Sequence, residues 1–161
     1  MYEAERSSAR AVSDSLTSIA TGRLRARTPE WTFHSFRGDS LTLRQTTGNW
    51  RLLVLTRTGC EPCAKRLTSL SEQLQQLAPL PKPPEVWLIT DRFSAGDQLD
   101  SLANRYTVRV LRDLGAQWWS ELGVTSVPVL VIVDDRGAVH SVSVGHYPGI
   151  YDSLGLRLQR Q

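Results

Sequence analysis

The chain contains few cysteines and histidines, the residues that usually bind zinc and copper. Its 161 residues include two cysteines and three histidines. Two thiolates supply only half of the four ligands of a tetrahedral zinc site. We therefore expect no bound metal and no cofactor.

Long apolar runs and lysines are also scarce. No apolar run approaches the roughly 20 residues of a membrane-spanning helix, and the N-terminus lacks a signal-peptide core of about 7–15 apolar residues. Lysine occurs only at Lys65 and Lys82, and the arginines behind the net charge of +3 are scattered among acidic residues. Nucleic-acid binding calls for a basic stripe on one face. We therefore expect no nucleic-acid partner, and any membrane tether would lie outside this chain.

The composition, with 40% hydrophobic and 22% charged residues, fits one globular domain with its own core. The first residues look peripheral to that domain. Four apolar residues recur there at helical spacing: Ala9, Val12, Leu16 and Ile19. They predict a helix with a modest apolar face, which Gly22 could end. We expect residues 1–28 to form a helical tether or docking arm, and residues 29–161 to form the main domain.

Hydrophobic periodicity divides the rest of the chain into strands and helices. Strands are predicted near residues 51–57, 86–90 and 108–111, and β-hairpins within residues 31–43 and 129–145. Helices are predicted near residues 61–78, within 94–106, around Leu114, Trp118 and Leu122, and after Pro148. Strands that alternate with helices in this way indicate an α/β fold.

The two cysteines stand where a predicted strand meets a helix, in the stretch Thr58-Gly59-Cys60-Glu61-Pro62-Cys63. Cys63 falls on the same apolar stripe as Leu67 and Leu70, so we expect it to face the core. Cys60 comes at the helix N-terminus, where its sulfur can be exposed. Pro62 suits the first helical turn, which has no use for its missing N–H. The positive end of the helix favours a thiolate at Cys60.

This spacing predicts a reversible dithiol switch, in which Cys63 resolves a mixed disulfide formed at Cys60. A plain stapling disulfide stays open as an alternative, although closing so short a loop contributes little stability. A second alternative is that the two cysteines form half of a metal site. Pro128 is the second position of interest, because a proline that follows Val127 directly ahead of a strand is consistent with a cis bond.

The order of these elements resembles the thioredoxin fold, and in particular the TlpA/ResA/CcmG-like thiol-disulfide oxidoreductases. The resemblance covers about residues 29–145. The motifs that carry it are Cys60-Glu61-Pro62-Cys63, Gly123-Val124 to Pro128, and the run from Val131 to Gly137. It implies a three-layer α/β sandwich, in which helices flank a central mixed sheet and the first hairpin is an N-terminal extension.

The resemblance also implies a role for each candidate site residue. Cys60 would be the attacking thiol, Cys63 the resolving thiol, and Pro128 a cis-proline stacked against them. Val127 would offer its backbone to a substrate segment, with Glu61 and Pro62 beside it. The partners would be proteins with disulfides or thiols, and a membrane-bound or soluble electron donor. We expect a reductant that works outside the cytoplasm, in the periplasm or facing it from a membrane anchor. A cytoplasmic location stays open as an alternative.

Three positions depart from the family pattern. Gly59 stands where tryptophan is common, and Arg66 stands where ResA and CcmG members carry an acid. Val54 replaces the buried aspartate of thioredoxin. The sequence therefore identifies no proton acceptor for Cys63.

The charges near the dithiol act in opposite directions. Lys65, Arg66 and Arg57 would stabilise a thiolate and so make the protein more oxidising, whereas Glu61 opposes them. From charge alone, the direction of electron flow stays undecided.

Two other functions remain open. A copper- or zinc-handling protein would combine the cysteines with His34, His140 or His146, none of which lies in a recognisable ligand motif. A redox-silent module would use the same fold only to bind peptides.

Overall fold

A computed structural model describes residues 2–44, 48–57, 59–77, 82–91, 108–115, 117–123 and 127–145. Over these residues the helices are α1 (Tyr2–Leu24), α2 (Glu61–Leu77) and α3 (Gln117–Leu122). The strands are β1 (Thr32–His34), β2 (Ser40–Thr42), β3 (Arg51–Leu55), β4 (Glu85–Asp91), β5 (Arg109–Asp113), β6 (Val129–Val133) and β7 (Val139–Val144). The helices predicted within 94–106 and after Pro148 lie outside the described residues. None of the described helices has the length and apolar character needed to cross a bilayer.

The strands form one mixed sheet in the order β2-β1-β5-β4-β3-β6-β7. The neighbours β3, β4 and β5 run parallel, whereas β6 is antiparallel to β3 and β7 is antiparallel to β6. All five residues of the central strand β3 are buried. A strand covered on both faces needs apolar residues at successive positions, which explains the unbroken run Leu52–Leu55.

Helices cover both faces of this sheet. On one face Leu53 and Leu55 pack in a cluster with residues of α1 and α3, including Leu24 and Leu122. On the other face, a second cluster joins sheet residues to α2, and its members include Leu52, Val54, Leu67 and Leu70. Because side chains alternate along a strand, neighbouring leucines of β3 enter different layers. The predicted α/β thioredoxin-like sandwich is confirmed.

The first two strands lie at one edge of the sheet. β1 pairs antiparallel with β2 and with β5. Phe33 of β1 is buried, with its ring 6.1 Å from that of Trp31 and 6.4 Å from that of Trp87. These aromatic contacts attach β1 to the core. That this pair is an extension of the domain stays a prediction.

The packing of α1 follows the face predicted by its apolar residues only in part. Leu16 packs against the core cluster. Val12 and Ile19 are 58% and 47% exposed, and the helix instead buries Ser13, Ala20 and Leu24. The helix lies against β7, an edge strand whose main-chain groups need polar partners, so hydroxyl groups are drawn to the contact. The division of the chain at residue 28 stays a prediction.

Two hydroxyl groups of α1 bond the outer edge of β7. The Ser13 hydroxyl donates to the carbonyl of Val144, and the Val144 N–H donates to the Thr17 hydroxyl at 2.9 Å. The segment after the helix, residues 26–27, exchanges two main-chain hydrogen bonds with Val139, at 2.8 and 2.7 Å. The N-terminal segment therefore covers an edge that would otherwise be open to pairing with another strand.

The helix α3 begins later than the sequence predicted. Leu114 was predicted to belong to this helix, but it lies before the helix and is 38% exposed. The Gln117 side chain donates to the carbonyl of Thr32 at 2.7 Å and to Asp113 at 3.1 Å. These contacts hold Gln117 at the end of β5, so the helix starts there. Leu122, at the other end of the helix, is buried.

Replacing Ser13 with alanine should lower the free energy of unfolding by about 1–3 kcal/mol, because the Val144 carbonyl loses its donor at a buried site. The matched control is Ser15→Ala, the same change at an exposed position of α1. The control should be neutral or slightly stabilising, because alanine is the better helix former. Urea unfolding measures both variants, and equal free energies would contradict the contact.

Candidate functional site

The two cysteines meet at the start of α2, shortly after the end of β3. Cys60 and Cys63 form a disulfide, with their Cα atoms 5.2 Å apart. Cys60 is half-buried, whereas Cys63 is only 2% exposed and faces the core from the first turn of the helix. The structure therefore shows the oxidised form of a dithiol with one accessible and one enclosed sulfur.

Cys60 is the N-cap residue of α2. Its Sγ accepts a hydrogen bond from the Cys63 N–H at 3.2 Å, and its carbonyl accepts one from the Ala64 N–H at 3.1 Å. Gly59 precedes it with a φ of 73°, a conformation that glycine adopts without strain. A glycine therefore suits the turn at this position. The reduced sulfur would lie at the positive end of the helix, where a thiolate is favoured.

The loop before β6 carries the second candidate feature. The Val127–Pro128 peptide bond is cis. Pro128 is buried, and Val127 is half-buried against the core cluster beneath α1 and α3. The Pro128 carbonyl accepts a hydrogen bond from the Gly145 N–H at 2.8 Å. The loop is therefore joined to the end of β7.

Arg66 connects this loop to the dithiol helix. It follows Cys63 by three residues on α2, and it is fully buried. Its Nη1 donates to the carbonyl of Pro128 at 3.0 Å and to that of Ser143 at 3.1 Å. Its Nη2 donates to the Ser143 hydroxyl at 3.2 Å. One guanidinium thus bonds the Pro128 loop and β7 from the turn of α2 that follows Cys63.

The other charged residues that the sequence predicted near the dithiol form ion pairs. Glu61 pairs with Lys65 at 3.3 Å on the exposed side of α2, and Pro62 is also exposed there. Arg57 pairs with Asp91 at 3.8 Å, just past the end of β3. Each pairing reduces the net charge that a thiolate would experience. The opposing charges noted in the sequence therefore cancel in part.

The histidines considered as metal ligands lie elsewhere. His34 is on β1, which is separated from β3 by β5 and β4, so it is about 14 Å away at roughly 4.8 Å per strand. The ring of exposed His140 lies 5.3 Å from that of Trp50, which precedes β3 at the end opposite Cys60. His146 is outside the described residues. Within the described ranges, no three residues among His, Cys, Asp and Glu form a cluster that could hold a metal.

Sequence reasoning treated Arg66 only as a charge and missed its contacts. Its spacing from Cys63 and from Leu70 places it at the inner side of α2, and this was the available signal. Ser143 and Gly145 carried no comparable signal. Their partners come from parts of the chain that only the fold brings close.

Comparison with known proteins finds solved structures with the same fold. No protein-family model matches the sequence, and no curated protein does either. A thiol:disulfide interchange protein from Bacteroides sp. matches at 13% identity with a TM-score of 0.65, over 85% of this chain and 88% of that one. The exposed lipoprotein thioredoxin Etrx1 from Streptococcus pneumoniae matches at 16% identity and a TM-score of 0.63, over 83% and 100%.

A third similar structure is a secreted Mycobacterium tuberculosis disulfide oxidoreductase homologous to DsbE of E. coli. It matches at 19% identity with a TM-score of 0.61, over 82% of this chain and 96% of that one. At such identities the likeness establishes the thioredoxin-like fold. The three proteins also come from the thioredoxin and disulfide-exchange class that the sequence resembles.

After reduction, Cys60 should react with iodoacetamide well before Cys63, because only Cys60 is accessible and lies at the helix N-terminus. Peptide mass spectrometry after a brief treatment locates the label. The oxidised protein is the control and should take up none. Earlier or equal labelling of Cys63 would contradict the assignment of the accessible sulfur.

Proposed function

We propose that the protein is a thiol-disulfide oxidoreductase that exchanges electrons with protein disulfides through Cys60 and Cys63. The observation that carries this proposal is the disulfide at the start of α2, with Cys60 half-buried and Cys63 enclosed. Solved structures of the same fold that are described as disulfide oxidoreductases support it.

The exchange has two steps. In the reduced protein, the Cys60 thiolate attacks one sulfur of a substrate disulfide, and a mixed disulfide forms as the substrate bond breaks and its other thiolate leaves. The Cys63 thiolate then attacks Cys60 Sγ and releases the second substrate thiolate. The substrate has gained two electrons, and the two protons of the dithiol end on its thiols. The protein is left with the disulfide seen in the structure.

Substrate binding is assigned to the surface around the dithiol. An extended substrate segment would pair with the backbone of Val127, and Pro128 would hold that backbone beside the cysteines. Glu61 and Pro62 are exposed in the first turn of α2 and would contact the same segment. This arrangement favours unfolded or flexible protein partners, since their backbones are free to pair.

The site of action is proposed to be outside the cytoplasm, with the protein acting as a reductant. Two proteins of the same fold support this location: the secreted Mycobacterium tuberculosis oxidoreductase and the exposed lipoprotein thioredoxin Etrx1. The oxidised form would then be returned to the dithiol by a membrane-bound or soluble electron donor. Residues 1–28 would serve as a tether or extension.

Replacing Cys63 with serine should cause mixed disulfides to accumulate at Cys60, because the resolving thiol is missing. The matched control is Cys60→Ser, which keeps only the enclosed sulfur and should trap few partners or none. Non-reducing gels of alkylated cell extracts show the trapped species as bands that dithiothreitol removes. A folded Cys63→Ser variant that traps nothing would contradict disulfide exchange and favour a redox-silent peptide-binding module.

A further inference from the structure

The buried guanidinium of Arg66 is not used by the two exchange steps described above. It is fully enclosed, and it donates hydrogen bonds to three acceptors on two other elements. Enclosing an arginine costs free energy unless its donors are satisfied, so its burial implies that the surrounding contacts are well formed. Such a group is suited to holding separate segments in a fixed arrangement.

The first consequence is positional. The Pro128 carbonyl accepts hydrogen bonds from Arg66 at 3.0 Å and from the Gly145 N–H at 2.8 Å. It is thereby held by both α2 and the end of β7. Because Val127 directly precedes Pro128, fixing this carbonyl also fixes the backbone proposed to pair with a substrate.

The second consequence is electrostatic. Residues three apart on a helix are neighbours, with Cβ atoms about 5–6 Å apart, so Arg66 lies beside Cys63. A positive charge stabilises a thiolate of the reduced pair and gives no comparable stabilisation to a neutral disulfide. Burial strengthens the interaction because water screens it less. The charge therefore favours the reduced form, and it makes the protein a weaker reductant than the same protein would be without Arg66.

We propose that Arg66 is a positioning residue of the dithiol site, which holds the substrate-pairing loop through the Pro128 carbonyl and biases the cysteine pair toward its reduced form through its charge. The proposal rests on the proposed function. Its two parts are separable, because lysine keeps the charge but lacks the planar fork that reaches several acceptors. Glutamine keeps hydrogen-bonding capacity and loses the charge.

The first experiment measures the equilibrium of each variant with glutathione, in which the protein dithiol and glutathione disulfide give the protein disulfide and two glutathione thiols. For Arg66→Gln, the equilibrium constant should rise about tenfold in favour of the protein disulfide. A nearby positive charge lowers the pKa of a thiol by about one unit or more, so its removal destabilises the reduced pair by a similar factor. For Arg66→Lys, it should stay within about threefold of the unsubstituted protein, because the charge remains.

Two control variants separate this effect from general ones. Lys65→Gln removes a charge from the adjacent residue, which is exposed and paired with Glu61. Arg51→Lys changes another fully buried arginine, whose side chain donates to the Leu43 carbonyl at 2.9 Å. Arg51 is the first residue of β3 and lies about 13 Å along the strand from Leu55, the residue at the end nearer the dithiol. Arg51→Lys should leave the glutathione equilibrium unchanged. Lys65→Gln should shift it by less than about threefold, because solvent screens an exposed charge.

The second experiment tests the positional part with a glutathionylated extended peptide. Arg66→Lys should raise the peptide concentration needed for half-maximal mixed-disulfide formation several-fold, while the rate with glutathione disulfide itself changes little. Ser143→Ala should change the peptide reaction in the same direction, because it removes one acceptor of the guanidinium and leaves the charge in place. Urea unfolding verifies that each variant is folded, and Ser143→Ala decides the positional part if the Arg66 variants do not fold.

Either of two results would overturn the proposal: an Arg66→Gln equilibrium constant equal to that of Lys65→Gln, or unchanged peptide saturation in both Arg66→Lys and Ser143→Ala. These outcomes differ from failure of the proposed function itself. The glutathione equilibrium can be measured on any cysteine pair of this spacing, whereas the proposed function fails when Cys63→Ser traps no protein partner.

Discussion

The dithiol site depends on the different positions of its two sulfurs. The sulfur of Cys60 lies at the N-terminus of α2, and that of Cys63 lies on the buried side of the same helix. Gly59 makes the turn out of the central strand with a φ of 73°, and the Cys63 N–H then bonds the Cys60 sulfur. A three-residue spacing on a helix places the two sulfurs together and gives them different exposure. The first turn of α2 therefore makes the Cys60 sulfur accessible and encloses the Cys63 sulfur. Disulfide exchange needs an accessible sulfur to attack the substrate and an enclosed one to resolve the mixed disulfide.

The elements around the dithiol hold this arrangement in place. The central strand β3 is buried along its whole length, so the turn that follows it starts from a fixed point. The loop at Pro128 is fixed by Arg66 and Gly145. Gly145 in turn follows β7, whose edge is covered by α1. The N-terminal helix is thus linked through β7 to the Pro128 loop that Arg66 contacts.

Much of the fold could be predicted from the sequence, because strands such as Leu52–Leu55 have continuous apolar runs and the helix after Cys60 has a clear stripe. The contacts of α1 could not, since Ser13 and Thr17 face β7 because their hydroxyl groups bond Val144, and apolar spacing does not reveal this. The start of α3 was also missed, because Gln117 is held by partners from β1 and β5. The contacts of Arg66 depend on residues more than 60 positions away.

Catalysed reduction of insulin by dithiothreitol tests the central claim most directly. The protein is compared with a double variant in which Cys60 and Cys63 are both serine, at equal concentration and with precipitation of the insulin B chain as the signal. The account predicts that the unsubstituted protein shortens the delay before precipitation and that the double variant behaves like dithiothreitol alone. Equal delays for the two proteins would contradict disulfide exchange through this cysteine pair.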